Sequence, residues 1–478
     1  MEKELLKTVY SPEAFRKHGY ALIDELTGHL ERTLSGKAPR VINWNGPEDE
    51  KAYWLEFLEK GDASRFFPEV LNHTTHVHHP RYMGHQVCAP APLASLASLL
   101  SSMLNNGMAV YEMGMAPTAI ERIVTDLLCK KIGYDTQSCG ILTSGGTLAN
   151  LTALLAARKA KVSHDVWNKG HKDRLAVLVS EEAHYCVDRA AKIMGLGEEG
   201  IIKIPVTKGF ALDTSLLETY YKNAKQKGLE VFAIVGSAPS TATGVYDDLE
   251  ALGNFSKKHD LWFHVDGAHG GAAIFSKKYR STVNGIDMAD SVVIDGHKMM
   301  LMPTITTALL FKKGMHSHAT FSQKAEYLLQ HSEDEDWYNL AKRTFECTKT
   351  MMSLQWYLLL KAYGEALFDQ NVTTLYDLGR SFGASIQKDP QLELAVIPMS
   401  NIVCFRYVSP SISDDLLNEI NLNIRQQLLE EGTFYIVQTR LLGVQYLRTT
   451  IMNPFTSLND LKELLNLVKE KGAALLSS

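Results

Sequence analysis

An aspartate and a lysine carry the strongest chemical signal in this chain of 478 residues. Asp266 lies in His264-Val265-Asp266-Gly267-Ala268-His269, and Lys298 closes Asp295-Gly296-His297-Lys298, 32 positions later. Each half follows a short apolar run, Leu261-Trp262-Phe263 or Ser291-Val292-Val293-Ile294, with the length and character of a buried strand. Both are therefore expected to project from strand ends toward one edge of a sheet. A carboxylate that keeps a pyridine nitrogen protonated, and an amine that forms a Schiff base, are two groups that pyridoxal 5'-phosphate (PLP) requires.

A third group completes the set. Thr143-Ser144-Gly145-Gly146-Thr147 ends another apolar run and opens a helical pattern. Gly145 and Gly146 let the backbone turn tightly with its amides exposed, the helix start favours an anion, and Thr147 offers a hydroxyl. Alone, this could be a plain strand–turn–helix junction; with Asp266 and Lys298 it supplies the phosphate end of PLP. His184 follows the run Leu175–Val179, where it could lie over the cofactor ring or simply cap a helix. Metal readings compete less well. His73, His76, His78, His79 and His85 lie on an extended stretch broken by Pro80, which suits solvent-facing or hydrogen-bonded side chains better than a closed zinc site. His264, Asp266 and His269 could form the ligand set of a metal-dependent hydrolase, since 264 and 266 share a strand face. That rival leaves Lys298 and the glycine turn without a task.

The elements that must position these groups alternate. Strand-like runs fall at 140–143, 175–180, 201–206, 231–237, 261–266, 290–294 and 306–312, with helical patterns between several of them, among them 147–160 and 214–226. Such alternation predicts an α/β fold with a mainly parallel seven-stranded sheet and flanking helices. Leu22, Ile23, Leu26, Leu30 and Leu34 recur at helix spacing in an amphipathic arm that must bury its stripe on the main body or on a partner. A long helical region is expected over 339–388. After it come strands at 401–408, 434–441 and 444–451 and helices at 413–431 and 457–474, a small α+β domain. The chain then divides into a helical arm (1–70), a large α/β domain (71–370) and a small C-terminal α+β domain (371–478).

Composition excludes several classes. A net charge of −5 and a pI near 6.4 give no footprint for nucleic acid. Six cysteines are scattered without a CxxC pair, which favours a reducing compartment over a disulfide framework or zinc site. The start is charged and shows no secretory signal, so a cytoplasmic enzyme is expected. Gln86 to Tyr111 carries no charge until Glu112, but its prolines, serines and Asn105-Asn106 point to a buried helix beside an active site or subunit interface instead of a membrane span.

Together the segments resemble the group II PLP-dependent amino-acid decarboxylases, which include glutamate, cysteine-sulfinate, aromatic amino-acid and 2,4-diaminobutyrate decarboxylases. The resemblance runs from Phe15-Arg16-Lys17-His18-Gly19 through His79-Pro80-Arg81-Tyr82, Thr143–Thr147 with Ala156-Ala157-Arg158, Thr243-Gly244-Val245-Tyr246-Asp247-Asp248, His264-Val265-Asp266 and Asp295–Lys298 to Arg448. It implies the fold-type I transferase architecture and a homodimer whose active site is shared between subunits. By the same resemblance Lys298 is the Schiff-base lysine, Asp266 the partner of the pyridine nitrogen, His184 the ring-stacking histidine and Ala268 the residue on the opposite ring face. Gly146, Thr147 and His297 match phosphate-holding positions, Thr241 lines the cofactor, and Tyr327, 29 positions after Lys298, matches a catalytic loop tyrosine. Arg448 is similar to an arginine associated with the substrate carboxylate.

Four positions depart from the family pattern. Gly267 and His269 replace an alanine and an aromatic, and Asp295-Gly296 stands where Asn-Pro is common. A carboxylate at 295 would repel phosphate. The implied reaction is decarboxylation of an L-amino acid to its amine and CO2, with Tyr327 protonating Cα and a lowered Lys298 pKa assisting exchange with the substrate amine. An aminotransferase is disfavoured, because no arginine follows the lysine between Met299 and Phe311. Asn105–Met113 and His297–Met300 look most like members acting on acidic substrates (glutamate, aspartate or cysteine sulfinate). Arg81-Tyr82-Met83-Gly84-His85 is closer to diaminobutyrate members, with His85 at a substrate-facing position; an aromatic substrate is the further alternative.

Overall fold

Seven short runs rich in Val, Ile, Leu and Phe pair into one sheet, because each is apolar on both faces and needs cover on both. The computed structural model describes residues 3–321, 336–410 and 412–477. In chain order the strands are β1 (Cys139–Thr143), β2 (Arg174–Ser180), β3 (Ile201–Ile204), β4 (Leu229–Ser237), β5 (Trp262–Asp266), β6 (Ser291–Asp295) and β7 (Thr307–Phe311). Their order is β1-β7-β6-β5-β4-β2-β3, and the antiparallel pairs are those made by β7. This is the mainly parallel sheet read from the sequence. The register sets His264 beside Ser291 and Asp266 beside Val293 on one side, and Asp266 beside Ser237 on the other.

The helix Gly146–Lys161 covers the sheet with a face of small residues. Ala149, Ala153, Ala156 and Ala157 are buried along it with Leu151 and Leu154. Side chains this short allow close approach, and Val177, Val179, Phe232 and Trp262 from the strands belong to the same core. In the C-terminal region a separate four-stranded sheet runs in the order Val437–Leu441, Val444–Thr450, Ile402–Tyr407, Leu392–Leu394. The helices Asp414–Glu431 and Leu458–Ser477 accompany it in sequence, as expected. The short strand at 392 has no pattern long enough to stand out.

The chain forms two compact units that cut the sequence differently from boundaries at 70 and 370. One comprises Met1–His85, Ser385–Glu393 and Phe405–Ser478; the other comprises Gln86–Ala384 and Leu394–Cys404.

Two elements differ from expectation. The helix expected from 339 begins at Ser353 and runs to Gln387, with a non-helical Gly364 inside it. The preceding stretch lies along β1, the outermost strand, whose free edge would otherwise hold unpaired backbone groups. Arg343 donates to the Gly140 carbonyl, Lys349 to the Leu142 carbonyl, and Glu346 accepts the Ser144 amide at 3.2 Å. Glu121 accepts the Leu142 amide at 2.9 Å. A segment whose charges are committed to a straight strand edge cannot also coil. The uncharged stretch from Gln86 forms the helix Pro92–Leu104, but only Ala94 and Ala97 are buried in it. Leu99, Leu100 and Met103 stay 46–63% exposed within this chain, so the chain alone does not bury the helix, and the subunit interface is the part of that expectation that stays open.

Lys349 and Glu121 form an ion pair with side chains 1% and 2% exposed. Glu121→Ala is expected to destabilise the protein by about 3–5 kcal/mol, since it strands a buried ammonium. Replacing both partners with Met and Leu should cost much less. Denaturant unfolding of the three proteins checks this.

Candidate active site

Parallel strands deliver their ends to the same edge, and this edge gathers the chemistry. Asp266 is the last residue of β5 and Asp295 the last of β6, with His297 and Lys298 in the turn that follows. β1 leads into Ser144 and Gly145. Gly145 has φ +101°, a conformation that a side chain would strain, and Gly146 begins the covering helix. A Cβ on Gly146 would stand 3.1 Å from the Asp295 carboxylate, a tight contact that glycine avoids.

These elements enclose a cavity of about 320 Å³. Gly145, Gly146, Thr147, His184, Thr241, Asp266, Ala268, His297 and Lys298 all line it, so every cofactor position named from the sequence comes to one place. Tyr327 lies outside the described residues. His85 and Arg448 do not line the cavity; they belong to the other compact unit. There the His85 ring lies 5.9 Å from that of Tyr435, and burial, then Arg448 and Arg425, push its pKa down.

Each side chain in the cavity has a defined setting. The Asp266 carboxylate accepts the Ala268 amide at 3.2 Å and the Cys186 thiol at 3.8 Å. His184 accepts the Cys186 amide on Nδ1 at 3.3 Å and thus caps the helix Tyr185–Ile193 while lining the cavity. The helix-cap reading of that histidine is what the hydrogen bond shows, and its place in the cavity lining is compatible with the other. Burial lowers its pKa and Lys298 adds to this, against the pull of Asp266, which favours a neutral ring. His297 donates from Nδ1 to the Thr306 carbonyl at 3.0 Å. The Lys298 ammonium lies 3.0 Å from Asp295 Oδ2. Burial acts to lower the Lys298 pKa, but Asp295 and Asp266 outweigh it and the net shift is upward. The lowered lysine expected from the sequence is corrected: two carboxylates hold this amine charged.

The hydrolase ligand set does not assemble. His264 is fully buried and absent from the cavity lining, with Nε2 2.7 Å from Asn150 Oδ1 and Nδ1 2.8 Å from Ser291 Oγ. Because Asn150 spends its amide donor on the Gly146 carbonyl, its oxygen must accept, so His264 carries its proton on Nε2. His269 lines the cavity and bonds Asn401 through Nε2 at 2.7 Å. Among the described residues no group of three or more His, Cys, Asp or Glu is placed to hold a metal. Sequence reasoning missed Asn150, Cys186 and Ser240 in the lining. The signals were their positions, one turn after Gly146, two residues after His184 and one before Thr241.

The donor set fits PLP. Open helix-start amides with a hydroxyl at one end, a carboxylate at another and an amine between match its phosphate, ring nitrogen and aldehyde in a cavity of suitable size. Asp295 is the one misfit at the phosphate end.

Burial pushes the His264 pKa down to about 4. The unfolded chain therefore binds this proton first as pH falls, and stability should drop between about pH 6.5 and 4. His264→Gln is expected to flatten that acid limb by up to about 3 kcal/mol. Unfolding free energies measured across this range check it.

Residues 62–408 match the family described as pyridoxal-dependent decarboxylase conserved domain. The chain is 27% identical to the aromatic-L-amino-acid decarboxylase of Bacillus atrophaeus, over 96% of this chain and 95% of that protein. It is equally 27% identical to the aspartate 1-decarboxylase of Aliivibrio fischeri, over 92% and 91%. Among solved structures it is similar to the glutamate decarboxylase domain of the diaminobutyrate-pyruvate transaminase and L-2,4-diaminobutyrate decarboxylase from Vibrio parahaemolyticus. That match has a TM-score of 0.83 and 25% identity over 95% of each chain. With a cavity that accommodates the cofactor and a family match across most of its length, the chain belongs to the pyridoxal-dependent decarboxylases, PLP enzymes of amino-acid chemistry.

Proposed function

We propose that this enzyme decarboxylates an L-amino acid with an acidic side chain, using PLP attached at Lys298. The observation that carries the reading is the convergence of Lys298, Asp266, His184 and the Gly145-Gly146-Thr147 turn on one cavity. PLP supplies an electron sink for the pair left behind as CO2 departs. The protein's part is to hold and orient. Gly145, Gly146, Thr147 and His297 would bind the phosphate, Asp266 would keep the pyridine nitrogen protonated, and His184 and Ala268 would fix the two ring faces, with Thr241 at the side. A neutral His184 would not oppose the positive ring nitrogen. Tyr327 is assigned the proton returned to Cα.

Support for an acidic substrate comes from the unit that holds the substrate positions. Arg425 and Arg448 act on His85 there, two cations beside a histidine held toward its neutral form, which suit a carboxylate and disfavour the second ammonium of diaminobutyrate. We further propose a cytoplasmic homodimer. The exposed Leu99, Leu100 and Met103, with Ile23 and Leu26 on the helix Pro12–Leu34, are apolar surface that a second copy would cover. No helix among the described residues is long and apolar enough to cross a membrane.

CO2 release should be fastest with aspartate, glutamate or cysteine sulfinate; preference for diaminobutyrate or an aromatic amino acid would overturn the substrate assignment. Lys298→Ala should abolish both turnover and the visible band of lysine-bound cofactor. Leu100→Glu with Met103→Glu should convert the dimer to monomer in sedimentation and remove most activity.

A further inference from the structure

Asp295 is a carboxylate at a position where the resembling family commonly has asparagine, and its surroundings are built for a charge. It is 2% exposed. Thr307, its register neighbour on β7, donates to Oδ1 at 2.6 Å, and the Lys298 ammonium sits 3.0 Å from Oδ2. His297 Nε2 is 3.6 Å from the same oxygen. A fixed hydroxyl on one oxygen thus aims the other at the lysine. Among the described residues that line the cavity Lys298 is the sole lysine or arginine, and both Asp266 and Asp295 act on it.

We propose that Asp295 is a positioning residue that receives the Lys298 side chain whenever that amine is not bonded to the cofactor. The inference rests on Lys298 being the attachment point. When substrate arrives, its nitrogen takes over the double bond to the cofactor carbon and the lysine nitrogen leaves. The incoming ammonium surrenders two of its three protons, and the departing nitrogen, which held one, gains two and leaves as ammonium. Charge and protons balance with no other reactant. That ammonium needs a buried counter-ion, and Asp295, fixed by Thr307, lies within ion-pair distance of the lysine. Asp266 cannot serve both purposes once the ring nitrogen occupies it. The upward shift of the Lys298 pKa accords with this arrangement. An asparagine at 295 would keep the Thr307 bond and the shape but hold the amine without charge.

The test begins with cofactor-free protein, treated with an acylating reagent across a pH series, with Lys298 modification followed by peptide mass spectrometry. Asp295→Asn should lower the pH midpoint and raise modification near neutrality by about tenfold, the effect of one pKa unit. Thr307→Val, which frees the carboxylate to turn, should move the midpoint less and in the same direction. In the loaded enzyme at saturating substrate, Asp295→Asn should retain more of the lysine-bound band, because a neutral amine recaptures the cofactor carbon. An unchanged modification profile in Asp295→Asn overturns the proposal. A cofactor band that survives Lys298→Ala overturns the attachment reading instead, and the two results are read independently.

Discussion

Strands in a parallel pair are held by slanted, evenly spaced bonds, and sliding one by a residue turns every side chain to the opposite face. The pairing of β5 with β6 is therefore what the site depends on. It brings Asp266 and Asp295 to neighbouring strand ends, with Lys298 one turn beyond. The apolar pattern alone specifies this register weakly, because both strands are buried on both faces and a slip exchanges one apolar residue for another. A side-chain chain supplies what the pattern lacks. The Trp262 indole donates to Ser291 Oγ at 2.9 Å, Ser291 donates to His264 Nδ1, and His264 donates to Asn150, which holds the Gly146 carbonyl. Every donor has one acceptor, so a slip would leave buried polar groups unpaired at a cost of about 1–3 kcal/mol each. The same bonds fix the distance between the strand ends and the glycine turn, the two ends of the cavity.

The core of the fold was legible in the sequence for a physical reason. Strands covered on both faces read as unbroken apolar runs, and all seven lie within two residues of where those runs predict. The glycine turn, Asp266 and Lys298 were legible because strand-end residues carry their type openly. Other features were hidden because they depend on distant partners. Nothing around residues 343–349 announces that three charges meet a strand two hundred positions earlier, so that stretch resembled the start of a helix. The helix Pro92–Leu104 read as buried beside an active site or a subunit interface, because apolar composition does not say which molecule will cover it. The departure at Asp295 was visible, but its meaning was not: its ion pair with Lys298 reverses the direction expected for the lysine.

His264 illustrates how the same residue type supports opposite readings. On a strand two positions from an aspartate it has metal-ligand spacing, yet both ring nitrogens are spent inside the sheet. His184 retains its dual character, since a helix cap and a cavity wall make use of different parts of the ring. Histidine is informative here only when the partner of each nitrogen is known.

The outer border of the sheet at β1 has a consequence beyond folding. An open border is an invitation to foreign strands, and proteins commonly repel them with a charge or a proline on the strand itself. Here β1 is uncharged, and the guard is posted from elsewhere by Glu121, Arg343 and Lys349. Anything that peels away that guarding stretch would expose a bare apolar ribbon ending at the glycine turn. The stretch from Arg343 to Lys349 therefore covers an edge that would otherwise be open to foreign strands, and its tolerance of insertions should be set by that duty instead of by catalysis.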